Sequence, residues 1–162
     1  MLGAVAMRLA TACVPWVLAG SAARALEGAT RRPRDLDIEV SLADAERAGS
    51  ALGCEMTAAS GGGWSSLRAT RVLAGVEIDL CAGITVAGPE WRLEPDDATV
   101  VAWARTVRVA GHRIVLAPSE ETLARAIVAA DWARLEKLAA GGGPAPRPDY
   151  VARRLAAAKA VR

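Results

Sequence analysis

The chain has 162 residues, enough for one domain with a sizeable core, and its 52% hydrophobic and 23% charged content excludes a disordered class. A formal net charge of +2 gives no electrostatic reason to expect a nucleic-acid partner, although 18 of the 20 basic residues are arginines. Three cysteines without paired spacing and a single histidine argue against a disulfide framework, a zinc site and a Ser-His-Asp or Cys-His mechanism.

The first 25 residues, MLGAVAMRLATACVPWVLAGSAARA, superficially resemble a secretory signal ending in a small-residue site. Arg8 and Pro15 interrupt the apolar run, no basic region precedes it, and it is too short for a membrane span. The expectation is therefore a cytoplasmic protein without membrane association. Val5, Leu9 and Cys13 stand at helical spacing, and P-W-V-L-A-G reads as a short buried strand carrying Trp16 into the core. Ser21 is placed to cap a helix over 22–28 that Gly28 ends, and R-R-P-R follows as a loop.

Residues 35–40 alternate, with Asp35, Asp37 and Glu39 on one face and Leu36, Ile38 and Val40 on the other. Glu39 is expected to face solvent. Ser41 starts a further helix ending near Gly53, with Asp44 completing a variant capping box. Two weakly patterned stretches flank G-G-G-W, which lacks the G-K-[ST] of a phosphate loop and reads as a turn. Residues 76–81 alternate again, with Glu77 and Asp79 on one face. Residues 99–109 and 113–117 read as a hairpin about A-G-H.

From Pro118 the pattern becomes helical: two amphipathic helices, a flexible G-G-G-P-A-P-R-P connector, and a basic terminal helix. Arg153, Arg154, Lys159 and Arg162 of that helix read as a solvated face. Trp64 and Trp91, in Gly- and Pro-containing loops, are either core residues or the lining of a cleft. The order of elements gives an α+β class: a core over 1–117, with a helical extension over 118–162 packed on the same domain.

The aspartates carry the chemistry. Residues i and i+2 of a strand project from one face about 7 Å apart, so Asp35 and Asp37 can lean toward one divalent cation. Without a cation two such carboxylates repel, and one tends to stay protonated. Magnesium removes that conflict and prefers hard oxygen ligands. Asp79 adds a third carboxylate on a second strand, and three such groups can serve two ions. Gly20 permits close backbone approach, Ser21 offers a hydroxyl, and the helix start presents free N–H groups to phosphate.

The run G-S-x-A-x-x-L, then R, then D-x-D, then a lone Asp on a later strand resembles the nucleotidyltransferase superfamily with its polymerase β-like fold. The fourteen-residue step from Ser21 to Asp35, and the later D-W-A-R-L-E-K-L, resemble the AbiEii-like group of that superfamily. The resemblance covers residues 14–40 best, 75–81 moderately and 114–138 loosely.

It implies Mg2+ (or Mn2+) held by Asp35, Asp37 and Asp79, with Asp79 drawing a proton from the attacking hydroxyl. Gly20 and Ser21 would contact nucleotide phosphates, and Arg31 or Arg34 would balance developing phosphate charge. The implied reaction transfers a nucleoside monophosphate from an NTP to a hydroxyl on tRNA, a protein or an aminoglycoside-like small molecule. Two positions depart from the group: Arg125 stands where a helical Lys is usual, and Arg134 replaces a second acid after Asp131. Those departures motivate an alternative, a catalytically weakened nucleotide- or partner-binding member of the same fold, of the kind that pairs with a partner protein in a toxin–antitoxin-like system.

Overall fold

The computed structural model describes residues 1–30 and 32–161, so Arg31 and Arg162 lie outside the described residues. The chain runs α1 (Leu2–Thr11), β1 (Val17–Leu18), α2 (Gly20–Leu26), β2 (Asp35–Val40), a 3-10 turn (Leu42–Asp44) and α3 (Ala45–Leu52). It continues through β3 (Thr57–Gly61), β4 (Trp64–Leu73), β5 (Val76–Ala87), β6 (Trp91–Leu93), α4 (Asp97–Trp103), β7 (Arg105–Val109) and β8 (His112–Leu116). It ends in α5 (Ser119–Val128), α6 (Trp132–Ala140), α7 (Pro148–Ala156) and β9 (Lys159–Ala160). This is an α+β fold built on one mixed sheet.

The main path of the sheet is β3-β4-β5-β2-β1-β8-β7, with β6 and β9 added beyond β5. Strands β2 and β5 are parallel, as are β1 and β8, and the other pairs are antiparallel. The alternation of β2 decides which way the sheet faces. Leu36, Ile38 and Val40 enter the main core with Ile78, Leu80 and Ala82 of β5, beneath Val5 and Leu9 of α1 and Ala48 and Leu52 of α3. Asp35, Asp37 and Glu39 are thereby turned to the opposite face, where α5 packs. A second cluster there joins Val86 and Leu93 to Ala124 and Val128 of α5.

Several local readings change with tertiary context. Residues 99–103 form α4 rather than a strand. Asp96 accepts a hydrogen bond from the Thr99 amide at 3.0 Å, and Val100 packs with Val17 and Ala117, which together outweigh the β-branched run. Ser21 lies inside α2, whose N-cap is Ala19. Ser41 does cap, accepting from the Asp44 amide, and Gly53 closes α3 at φ +71°. Trp64 opens β4 and Trp91 opens β6, so neither is a loop residue.

The terminal helix stops at Ala156, and Lys159–Ala160 pair with β6. Its Arg154 is only 2% exposed, contrary to a solvated face. It donates to both carboxylate oxygens of Glu121 (2.7 and 3.0 Å) and to the Glu94 carbonyl (3.0 Å), and the Tyr150 hydroxyl donates to Glu121 at 2.7 Å. The connector ahead of α7 is also tied down: Arg147 holds Glu120 through its amide and guanidinium and donates to the Trp103 carbonyl. No helix among the described residues is long and apolar enough to cross a membrane.

Candidate functional site

The polar face of the sheet opens into a cleft of about 650 Å³. One wall is the start of α2, the floor is β2, β5 and β4, and α5 and α6 close the other side. The register of the parallel pair sets Asp37 directly beside Asp79, and Asp35 beside Glu77. Adjacent strands lie about 4.8 Å apart, so the two aspartates share one patch of floor. Asp35, Asp37, Asp79, Gly20, Ser21 and Arg34 all line this cleft, and Arg34 is exposed in it.

Gly20 is the point of closest approach. It adopts φ +59°, and a Cβ built there would fall 1.8 Å from Asp37 Oδ2. Only glycine lets the chain pass so near the carboxylate. The Ser21 hydroxyl donates to Asp35 Oδ1 at 3.4 Å, and the Ala19 amide donates to the Asp37 carbonyl at 2.8 Å.

Charge at the floor is unbalanced. Burial pushes the Asp37 carboxyl up to about 6, the neighbouring charges of Asp35, Asp79 and Glu39 add to the rise, and the Ser21 amide offsets part of it. A cation near Asp37 would reverse that shift. For Asp79 the protein itself supplies one: Arg68 of β4 donates through Nε and Nη2 to the two carboxylate oxygens, both at 2.6 Å. As the side chains stand, no group of three His, Cys, Asp or Glu residues among the described ones is arranged to hold a metal ion. The oxygen donors themselves suit a hard divalent cation, and one of them, Asp79, is already paired with Arg68.

Arg68 was not singled out in the sequence. Trp64, Ser66 and Arg68 alternate along β4, but the bulge between Ser65 and Leu67 and the antiparallel register decide that Arg68 reaches Asp79. Cys81, two residues beyond Asp79, faces the same cleft. Its thiol is pushed up to about 12 by burial and then by the charges of Asp79 and Glu39, which favours the thiol over the thiolate.

Glu39 does not face solvent. Arg125 donates to its two oxygens at 2.7 and 3.0 Å and to Glu121 at 3.0 Å, which buries the guanidinium. Burial works against the charge of Arg125, but Glu39 and Glu121 outweigh it and hold the group charged. Arg125 is thus committed to a structural ion-pair network. Asp131 caps α6, accepting from the Arg134 amide at 3.0 Å. The Arg134 guanidinium lies 4.6 Å from the Trp64 ring centroid at the far rim of the cleft, whereas Trp91 is away from it.

No family model matches the chain, and no curated protein matches it. A solved structure from Thermotoga maritima, described as that of "a putative nucleotidyltransferase", is similar to it with a TM-score of 0.68 at 20% identity, over 86% of each chain. At that identity the likeness speaks for architecture: the chain has a nucleotidyltransferase-like α+β fold.

Proposed function

We propose that the chain is a nucleotidyltransferase of the AbiEii-like branch, moving a nucleoside monophosphate from an NTP to a hydroxyl acceptor with release of pyrophosphate. The observation that carries this reading is the side-by-side register of Asp37 and Asp79, with Asp35 two residues away, facing the glycine-led turn at Gly20 and Ser21. A structural role would not need three carboxylates on one floor, since their mutual repulsion costs stability.

Mg2+ or Mn2+ held by Asp35, Asp37 and Asp79 would supply positive charge at the phosphates and make the acceptor hydroxyl more acidic. Gly20 and Ser21 would seat the phosphates, and the exposed Arg34 would balance charge on them. Asp79 would take the proton of the acceptor hydroxyl as its oxygen bonds to the α-phosphorus. The bond from that phosphorus to the α–β bridging oxygen breaks, and pyrophosphate leaves with the electron pair. Residues 1–117 would carry the chemistry, and the extension over 118–162 would wall the cleft. The acceptor belongs to the class of tRNA, protein side chains and aminoglycoside-like molecules, and a cytoplasmic setting fits an NTP substrate.

Turnover of labelled NTP by wild type and Asp37→Ala, with circular dichroism as a check on folding, tests the reading. Loss of pyrophosphate release with the fold intact is expected, and unchanged release would overturn it. One observation favours a second reading: Arg125 is spent on Glu39 and Glu121 rather than free for phosphate. On that reading the protein binds nucleotide, or a partner in a toxin–antitoxin-like pair, without catalysis. ATP affinity that ignores magnesium, with no pyrophosphate released, would select it.

A further inference from the structure

The fork between Arg68 and Asp79 stands out among the charged contacts of the molecule because it occupies a carboxylate that the proposed chemistry needs. The other multidentate arginine pairs build structure. Arg125 is buried between α5 and β2, Arg154 between α7 and α5, and Arg147 anchors the connector ahead of α7. Arg68 differs from these. It sits on the cleft floor with its side chain half exposed, and among the described residues its side chain hydrogen-bonds to the Asp79 carboxylate alone, so moving it breaks no other such bond.

Resting on the nucleotidyltransferase reading, we infer that Arg68 is a built-in counter-ion. It holds Asp79 closed to a metal until nucleotide arrives, then gives the carboxylate up and turns its guanidinium to the phosphates.

Three observations converge on this. The fork is bidentate at 2.6 Å to each oxygen, so both oxygens of the carboxylate are already engaged by a cation. Asp79 is the member of the trio that is held in this way. The Asp35 carboxylate takes only a 3.4 Å contact from Ser21, and Asp37 is left in an environment of like charges. The geometry of β4 also gives the guanidinium somewhere to go. It projects from the strand toward the cleft that Ser21 and Arg34 share, where a triphosphate would offer it oxygens in the same planar fork.

The consequence is an order of binding. With Asp79 engaged, the floor offers free metal only Asp35 and Asp37, and affinity for the bare ion is low. A nucleotide carrying its own metal brings the phosphates that compete for Arg68, so ion and nucleotide enter as one unit. Arg68 acts through Asp79 before nucleotide binds and directly on the phosphates afterwards.

Binding of Mn2+ alone, read from the loss of its free-ion electron paramagnetic resonance signal, tests the inference in the absence of nucleotide. Arg68→Gln should bind Mn2+ roughly tenfold more tightly than wild type, as expected for releasing one carboxylate to the ion. Arg34→Gln removes the same charge from the same cleft and should change the affinity much less. In Arg68→Gln/Asp79→Asn the gain should vanish, because it is routed through Asp79. With a non-hydrolysable ATP analogue added, wild type should bind Mn2+ and Arg68→Gln should bind the analogue more weakly.

An equal gain in Arg34→Gln, or a gain that survives loss of Asp79, would reduce the effect to bulk charge and overturn the inference. No gain in Arg68→Gln, while wild type binds Mn2+ with the analogue, would overturn it and leave the nucleotidyltransferase reading standing. Mn2+ that binds no variant, with or without the analogue, would sink that reading and this inference with it. Thermal melts of each variant confirm folding, and Arg68→Lys, keeping the charge without the fork, should fall between wild type and Arg68→Gln.

Discussion

Gly20 and Asp37 meet so closely that a single methyl group on Gly20 would stand 1.8 Å from the Asp37 carboxylate oxygen. The turn into α2 and the floor of the cleft are therefore one structural unit, and the left-handed backbone at φ +59° is what joins them. Glycine is required twice, once by conformation and once by space.

Gly20→Ala should destabilise the protein by about 1–3 kcal/mol, the sum of left-handed strain and displacement of the Asp37 side chain. Urea titration measures the loss. Nucleotide affinity should fall with it, whereas Gly28→Ala, where a Cβ meets nothing within 4 Å, should leave nucleotide affinity unchanged.

Asp37 predicts a pH dependence of stability. Its folded-state pKa of about 6 lies above the ordinary value of 3.8, so the folded protein binds the proton more tightly than the unfolded chain. The resulting stabilisation is complete below about pH 4 and lost as pH rises through 6. Asp37→Asn removes the charge, and at pH 8 it should be more stable than wild type by about 2 kcal/mol. The difference should shrink through pH 6 and disappear near pH 4, as read from urea midpoints in EDTA.

Glu121 is the hub of the buried network, accepting from Arg125, Arg154 and the Tyr150 hydroxyl. Burial works to raise its pKa, but the two guanidiniums outweigh it and hold the carboxyl below the usual range. Glu121→Ala should cost about 3–5 kcal/mol, because it takes a shared carboxylate from two buried guanidiniums, leaving Arg125 with Glu39 alone and Arg154 without its closest counter-charge. Hydrogen exchange should show α7 loosening from α5 first, since Tyr150 and Arg154 both reach Glu121 from α7.

Saturating ATP with magnesium should stabilise the protein by about 2.7 kcal/mol at one hundred times its dissociation constant. EDTA should remove most of that shift if metal and nucleotide bind as a unit. A thermal-shift titration with ATP, ATP with magnesium, and ATP with EDTA reads the three cases.

How much of this was legible beforehand follows from the range of the interactions involved. The alternation of 35–40 placed Asp35 and Asp37 on one face because strand periodicity is local, and the same logic put Asp79 on a polar face. Ser41 and Gly53 were readable as helix ends because caps are built within a few residues. Residues 99–103 misled because their β-branched run is a local signal, overridden by the Asp96 cap and by packing against β1. Arg154 and Glu39 misled for the converse reason. A charged residue reads as solvated until its partner is known, and theirs lie 33 and 86 positions away.

The sequence by itself determined the alternation that separates core from cleft, the three aspartates on their polar faces, and the glycine ahead of Ser21. Each is written in spacing that the backbone geometry of a strand or turn converts directly into position. Only the tertiary structure decided that Asp37 and Asp79 stand side by side, that Arg68 closes on Asp79, and that Arg125 is spent on Glu39 and Glu121. Those depend on strand register and helix packing between distant segments, where electrostatic pairing is chosen by the whole fold and not by the neighbouring residues.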